Sequence, residues 1–149
     1  MMRRMTKEDS KFISVFEPTI TFKDKVSVLR SLNKKDISGS SSTIKKFEET
    51  IFHQFDRKYA VSVSNGSVAL DLALNVFNFH KNDEIIVPSF TIISCLSAII
   101  RSGGKPVFCD VDINSWNMTL DNVKKVFNKN TKAILMVHTY GLTAEATEI

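Results

Sequence analysis

YAVSVSNGSVALDLALNVF, residues 59–77, is the stretch that decides the fold. Its first part, Tyr59 to Ser64, alternates and is rich in β-branched and aromatic side chains, which predicts a strand. Asn65-Gly66 breaks that strand and a helix follows. In the helix Asp71, Asn75 and Asn78 fall at i, i+4 and i+7, a narrow polar stripe among apolar residues. A helix wet on so thin a face is expected to lie buried between other elements. The turn Ser64-Asn65-Gly66-Ser67 is small and polar. The first turn of a helix leaves backbone N–H groups unpaired, and with no bulky side chain over them they can hold a phosphate. Gly66 lets the backbone approach closely, and the Ser67 hydroxyl can add a donor. The same residues can serve structure alone, Ser67 as a cap and Gly66 as a turn former. Taken by themselves they suit that role better, because one helix terminus attracts an anion by only about 0.3–2 kcal/mol.

Around this stretch, 149 residues suit one domain with a sizeable core. An apolar content of 43% and a charged content of 24% are those of a soluble globular protein. The net charge of +4 comes from scattered basic residues. The pairs Arg3-Arg4, Lys34-Lys35, Lys45-Lys46 and Lys124-Lys125 read as solvated faces, with no continuous stripe of the kind that tracks nucleic acid. Cys95 and Cys109 lie in apolar surroundings and read as reduced core residues. Met1–Met5 is basic, but no apolar run follows it, so a secretory signal is not expected, and no segment reaches transmembrane length. No membrane partner and a cytoplasmic location are the expectation.

Residues 1–22 read as irregular, with a short extended piece at Thr19 to Phe22, and a weak helix over Asp24 to Leu32. Ser38–Ser42 is a loop that can cap a helix over Thr43 to Phe55, whose Ile44, Phe47, Ile51 and Phe55 share one face. His53 on that helix reads as solvated. After the turn His80–Asp83, a near-continuous apolar strand, Glu84 to Val87, suits a sheet covered on both faces. Ser89 or Thr91 can cap a helix through Ile92, Ile93, Leu96, Ile99 and Ile100 that ends at Gly103-Gly104. A strand over Pro106 to Asp110, a loop through Trp116, a helix Leu120 to Phe127 capped by Thr119, and a strand Lys132 to Val137 complete the order. Strand and helix alternate four times, which predicts an α/β fold: a mostly parallel sheet with helices on both faces and right-handed connections. Ligands gather at the carboxyl ends of such strands, here Ser64–Ser67, Pro88–Thr91, Asp110–Asp112 and His138–Gly141.

Several common motifs are missing. One glycine in the first βα turn is too few for G-x-G-x-x-G, and G-x-x-x-x-G-K-[ST], G-x-S-x-G and zinc-type Cys/His spacings are absent. Asp110 and Asp112 form a D-x-D that could grip a divalent cation, but solvating or capping a loop is the commoner use, and no metal site is assigned. His138 suits an acid or base at the rim as well as hydrogen bonding within its loop.

Seven pieces in order carry a resemblance: ISG (37–39), FEETIFHQF (47–55), YAVSVSNGSVALDLAL (59–74), NDEIIVPSFT (82–91), GGKPVFCDVD (103–112), WNM (116–118) and TKAILMVHTYG (131–141). Together they resemble the N-terminal part of the DegT/DnrJ/EryC1/StrS sugar aminotransferases, pyridoxal-phosphate enzymes of fold type I. The resemblance covers residues 37–149, the beginning of the family's large domain, and leaves 1–36 as a separate, weakly helical segment. It implies pyridoxal 5'-phosphate as cofactor, glutamate as amino donor, a keto sugar carried on a nucleotide as acceptor, and a homodimer for a full-length member. It places Gly66, Ser67 and Val68 in the cradle of the cofactor phosphate. The family's ring-stacking aromatic falls on Ile92, which can cover a pyridine ring but without π-stacking.

In the family the chain continues into a strand with an aspartate for the pyridine nitrogen and a Ser-His-Lys segment that supplies the cofactor's lysine anchor. Neither matches anything in these 149 residues, although they include fifteen lysines. The expectation is therefore a portion that does not transaminate alone, with no catalytic residue assigned in it. The alternative is a non-catalytic remnant, or a binding subunit that associates with a sugar nucleotide or a full-length relative. A dinucleotide-binding domain is disfavoured by the missing glycines. A half-built sheet would also expose a strand edge and apolar faces, an aggregation risk.

Overall fold

The computed structural model describes residue 14 and residues 16–149; the irregular start expected at 1–13 and at 15 lies outside them. The chain divides into two compact units, residues 1–62 and 63–149.

In the first unit, α1 (Phe22–Asn33) starts at a reciprocal cap. Thr21 accepts from the Asp24 N–H, and the Asp24 carboxylate accepts from the Thr21 N–H at 2.6 Å. That box pulls Phe22 into the helix, so the extended piece expected at Thr19 to Phe22 stops before it. Ser41 caps α2 (Ser42–Gln54) through the Ile44 N–H, as the serine loop predicted. Its half-buried side is Ile44, Glu48, Ile51 and Phe52, whereas Phe47 and Phe55, expected on the apolar face, are exposed. Glu48 accepts from the Ser62 N–H at 2.8 Å and the Ser62 hydroxyl at 2.9 Å.

The strand expected at Tyr59 to Ser64 does not form. A strand exists only by pairing, and this one finds no partner strand among the described residues; the Ser62 N–H goes to a carboxylate instead.

The second unit is built on a parallel sheet of three strands, one fewer than the alternation suggested, in the order β2-β1-β3. These are β1 (Glu84–Pro88), β2 (Lys105–Cys109) and β3 (Thr131–Ile134). All five residues of β1 are buried, as a central strand covered on both faces requires. Ile85 and Val87 pack with Leu74, Cys95, Ala98 and Ile99 on one face, under α3 (Gly66–Asn75) and α4 (Ile93–Arg101). Ile86 packs with Cys109, Met118 and Val123 on the other, under α5 (Leu120–Val126). The α/β architecture with helices on both faces is the one predicted.

Four local expectations are corrected here. The helix α3 is buried on one side only, at Leu74, while Val68, Leu72 and Val76 stay exposed; its second apolar side has no covering element in this unit. Asn65, not Ser67, caps it, accepting from the Val68 N–H. Neither Ser89 nor Thr91 caps α4. The helix begins at Ile93, so the cap position falls on Ile92, and the Thr91 hydroxyl turns to Cys95 Sγ. The strand β3 is also shorter than Lys132 to Val137, although the Leu135 N–H still donates to the Ile86 carbonyl at 2.8 Å.

Gly103-Gly104 closes α4 as expected, with Gly103 at φ +88° and both N–H groups returned to the last turn. The outer strands differ in make-up. One carries Lys105 and Pro106; the other runs on through Ala133, Ile134 and Leu135.

Candidate functional site

Parallel strands deliver their carboxyl ends to one edge, and the loops after β1, β2 and β3 meet there. The segments after β1 and β3 line a cleft of about 400 Å³ there, formed by Phe90, Thr91, Ile92, Val137, His138, Thr139 and Tyr140, a size that suits a small-molecule site. The structure thus brings together the Pro88–Thr91 and His138–Gly141 segments that the sequence assigned to this edge. The first turn of α3 is tied to the same edge, because the Ser67 and Ser94 hydroxyls share a hydrogen bond of 2.7 Å and Ser94 lies in the first turn of α4.

Of the four residues proposed for binding, Gly66 and Ser67 occupy the first two positions of α3. Their N–H groups have no hydrogen-bond partner among the described residues. A Cβ built on Gly66 would meet nothing within 4 Å, so the approach to the turn is open. The Val68 N–H is already taken by the Asn65 side chain at 3.1 Å, which leaves only its side chain for a ligand. Ile92 stands at the cleft wall, 66% exposed.

The polar residues of the edge divide between cleft and loop. His138 lines the cleft, and its Nδ1 accepts the Ala144 N–H at 3.0 Å. In the neutral ring the proton is then on Nε2. Asp112 is engaged within its own loop, where it accepts from the Ser115 N–H at 2.8 Å and the Asn114 N–H at 3.0 Å. These backbone bonds, Ser115 first, hold its carboxyl below the ordinary range. Asp110 accepts from the Val111 N–H at 2.9 Å. Among the described residues no three His, Cys, Asp or Glu side chains lie close enough to hold a metal ion.

WNM (116–118) enters the sequence reading only as a piece of the resemblance, with no role for Trp116 or Asn117, yet the structure gives both a place at this edge. Asn117 is 3% exposed and joins the loops after β2 and β3. Its Oδ1 accepts the Thr139 N–H at 3.1 Å and its Nδ2 donates to the Leu142 carbonyl at 3.0 Å. The one available signal was position: Phe90, Trp116 and Tyr140 each follow a strand.

Known proteins resemble this chain over most of its length. The model of the DegT/DnrJ/EryC1/StrS aminotransferase family matches residues 18–149. The chain is 38% identical over 139 residues to a GDP-perosamine synthase of Escherichia coli O157:H7, a match covering 93% of this chain and 38% of that protein. A solved aminotransferase from Psychrobacter cryohalolentis superposes with a TM-score of 0.80 at 31% identity, over 88% of this chain and 33% of that one. A sugar aminotransferase of Streptococcus pneumoniae, solved in a PMP form, superposes with a TM-score of 0.78 at 25% identity, again over 88% of this chain and 33% of its own. The chain spans 24% to 38% of the length of the curated relatives it matches.

Proposed function

The chain belongs to the DegT/DnrJ/EryC1/StrS aminotransferase family, and from that premise we propose that residues 37–149 form the N-terminal part of a nucleotide-sugar aminotransferase's large domain, with 1–36 preceding it. The reaction of the whole protein is amino transfer from glutamate to a keto sugar carried on a nucleotide, with pyridoxal 5'-phosphate as cofactor. We place that protein in the cytoplasm as a homodimer; among the described residues no helix is long and apolar enough to cross a membrane.

The first turn of α3 carries this reading. The Gly66 and Ser67 N–H groups have no partner among the described residues, and the space beside Gly66 is open. The Ser67–Ser94 pair uses one of its two hydroxyl protons and leaves the other to donate outward. Two amides, a hydroxyl and the positive end of a helix match the oxygens of a phosphate monoester. The Ile92 side chain, at the cleft wall, would cover one face of a pyridine ring by aliphatic contact. Its neighbour across the cleft, His138, offers an Nε2 proton to an acceptor there. The cofactor, when bound, supplies the electron sink through which an amino group moves. The residues of this chain bind and orient it; the proton-transferring groups are assigned to the remainder of the family's fold.

Equilibrium dialysis with pyridoxamine 5'-phosphate tests the cradle. That probe has no aldehyde, so it does not couple to the fifteen lysines. It is expected to be retained where pyridoxamine without the phosphate is not. Gly66→Asp, which sets a carboxylate in the open space at the turn, should weaken retention about ten-fold or more. Equal retention of the two amines would sink the reading.

A further inference from the structure

Phe90, Trp116 and Tyr140 stand in the loops that follow β1, β2 and β3, and their rings meet in a triangle. The centroids of Trp116 lie 5.8 Å from Phe90 and 5.8 Å from Tyr140, and Phe90 lies 6.4 Å from Tyr140. Steeply inclined contacts of this kind leave ring faces turned outward. The three remain 45%, 43% and 69% exposed, so they contribute little to a core. Two of them are held at a conformational cost: Trp116 at φ +56° and Tyr140 at φ +50°, in the left-handed region that bulky side chains avoid.

A buried polar set maintains that arrangement. Asn117 fixes the Tyr140 loop through Thr139 and Leu142, and the Thr139 hydroxyl donates to the Trp116 carbonyl at 3.2 Å. Backbone strain, held by a nearly fully buried amide, keeps large rings facing solvent. Left-handed backbone at bulky residues persists only where the surroundings over-determine it, and such outliers gather at ligand-binding sites.

We propose that the triangle is the stacking face for the nucleobase of the nucleotide-linked substrate, an inference that rests on the function proposed above. Phe90 and Tyr140 form part of the cleft wall and Trp116 lies outside its lining, so the face extends outward from the cleft. A nucleotide whose sugar entered the cleft would set its base in that direction. The chemistry agrees. A sugar brings several hydroxyls that ring faces leave unpaired, whereas a base brings a π-face that any aromatic ring can stack on.

Trp116 is the single tryptophan of the chain, so its fluorescence reads the triangle directly. GDP is titrated into the 149-residue chain with excitation where guanine is transparent, and ribose 5-phosphate serves as the base-free control. Saturable quenching by GDP, with none by ribose 5-phosphate, is the expected result. Tyr140→Gly is the decisive variant. At φ +50° glycine relieves the backbone, so the melting midpoint should hold or rise while GDP affinity falls roughly ten-fold. Tyr140→Phe keeps the ring and should keep the affinity. Unchanged GDP affinity in Tyr140→Gly, or equal quenching by ribose 5-phosphate, overturns the proposal. Quenching by pyridoxamine 5'-phosphate in place of GDP also overturns it, since the face would then belong to the cofactor ring. Dialysis reads the α3 turn separately, so the two readings fail by different results.

Discussion

Glu84 opens the central strand almost fully buried, and its carboxylate accepts from Lys105 Nζ at 2.8 Å and Asn128 Nδ2 at 2.7 Å. These bonds, Lys105 first, hold its pKa below the ordinary carboxylate range. A carboxyl lowered by folding gives stability that is present above its unfolded pKa, near about 4.3, and is lost as pH falls through the folded value. Glu84→Gln should therefore melt lower at neutral pH and flatten the acid limb of the melting curve below about pH 4. Thermal melts of both chains across that range check it; parallel acid limbs would assign the acid sensitivity to other carboxylates. Cys109 is the opposite case. Burial, and then the charge of Asp110, pushes its thiol up, so it should resist a thiol reagent in the folded chain near neutral pH and react once denaturant is added. Its place in the core was legible in PVFCD, because an apolar run says what surrounds a residue. The role of Asn117 was not, because its partners Thr139 and Leu142 are 22 and 25 residues away in the chain.

The elements that local signals define came through as read. Ser41 and Thr119 cap α2 and α5, and Gly103-Gly104 closes α4. The closure has a packing reason as well, since a Cβ on Gly104 would run into the end of the Ile85 side chain, which is fully buried. Gly104→Ala should cost about 1–3 kcal/mol by overpacking, measured as a lower midpoint in urea; an unchanged midpoint would show that Ile85 has room to turn. The misread elements are those decided at a distance. Tyr59–Ser64 has the residues of a strand but no neighbour to pair with among the described residues, and pairing cannot be read from alternation. The face of α3 bearing Val68, Leu72 and Val76 is apolar enough to predict burial, but nothing in its unit covers it. The Thr91 cap failed by one position, within the usual uncertainty of a helix start.

The two units differ in how they hold together. Among the described residues up to 62, Ser41 is the only buried one, whereas residues 63–149 carry the apolar core on both faces of the sheet. Limited trypsin digestion should therefore cut within residues 1–62 before it cuts the second unit, because local opening is cheapest where few apolar side chains are buried. Mass spectrometry of the first fragments reads the order, and early cleavage between β1 and β3 would contradict it. The α/β class and the gathering of loops at one edge were legible because the alternation of strand and helix is a property of the whole chain; the number of strands that pair was not. The unequal outer strands also give the sheet a direction of growth. Lysine and proline on β2 discourage another strand from lying beside it, and the apolar run through β3 carries one lysine and no proline. A strand that joins the sheet, from the same polypeptide or another, is therefore expected beside β3, so the sheet can widen in one direction only.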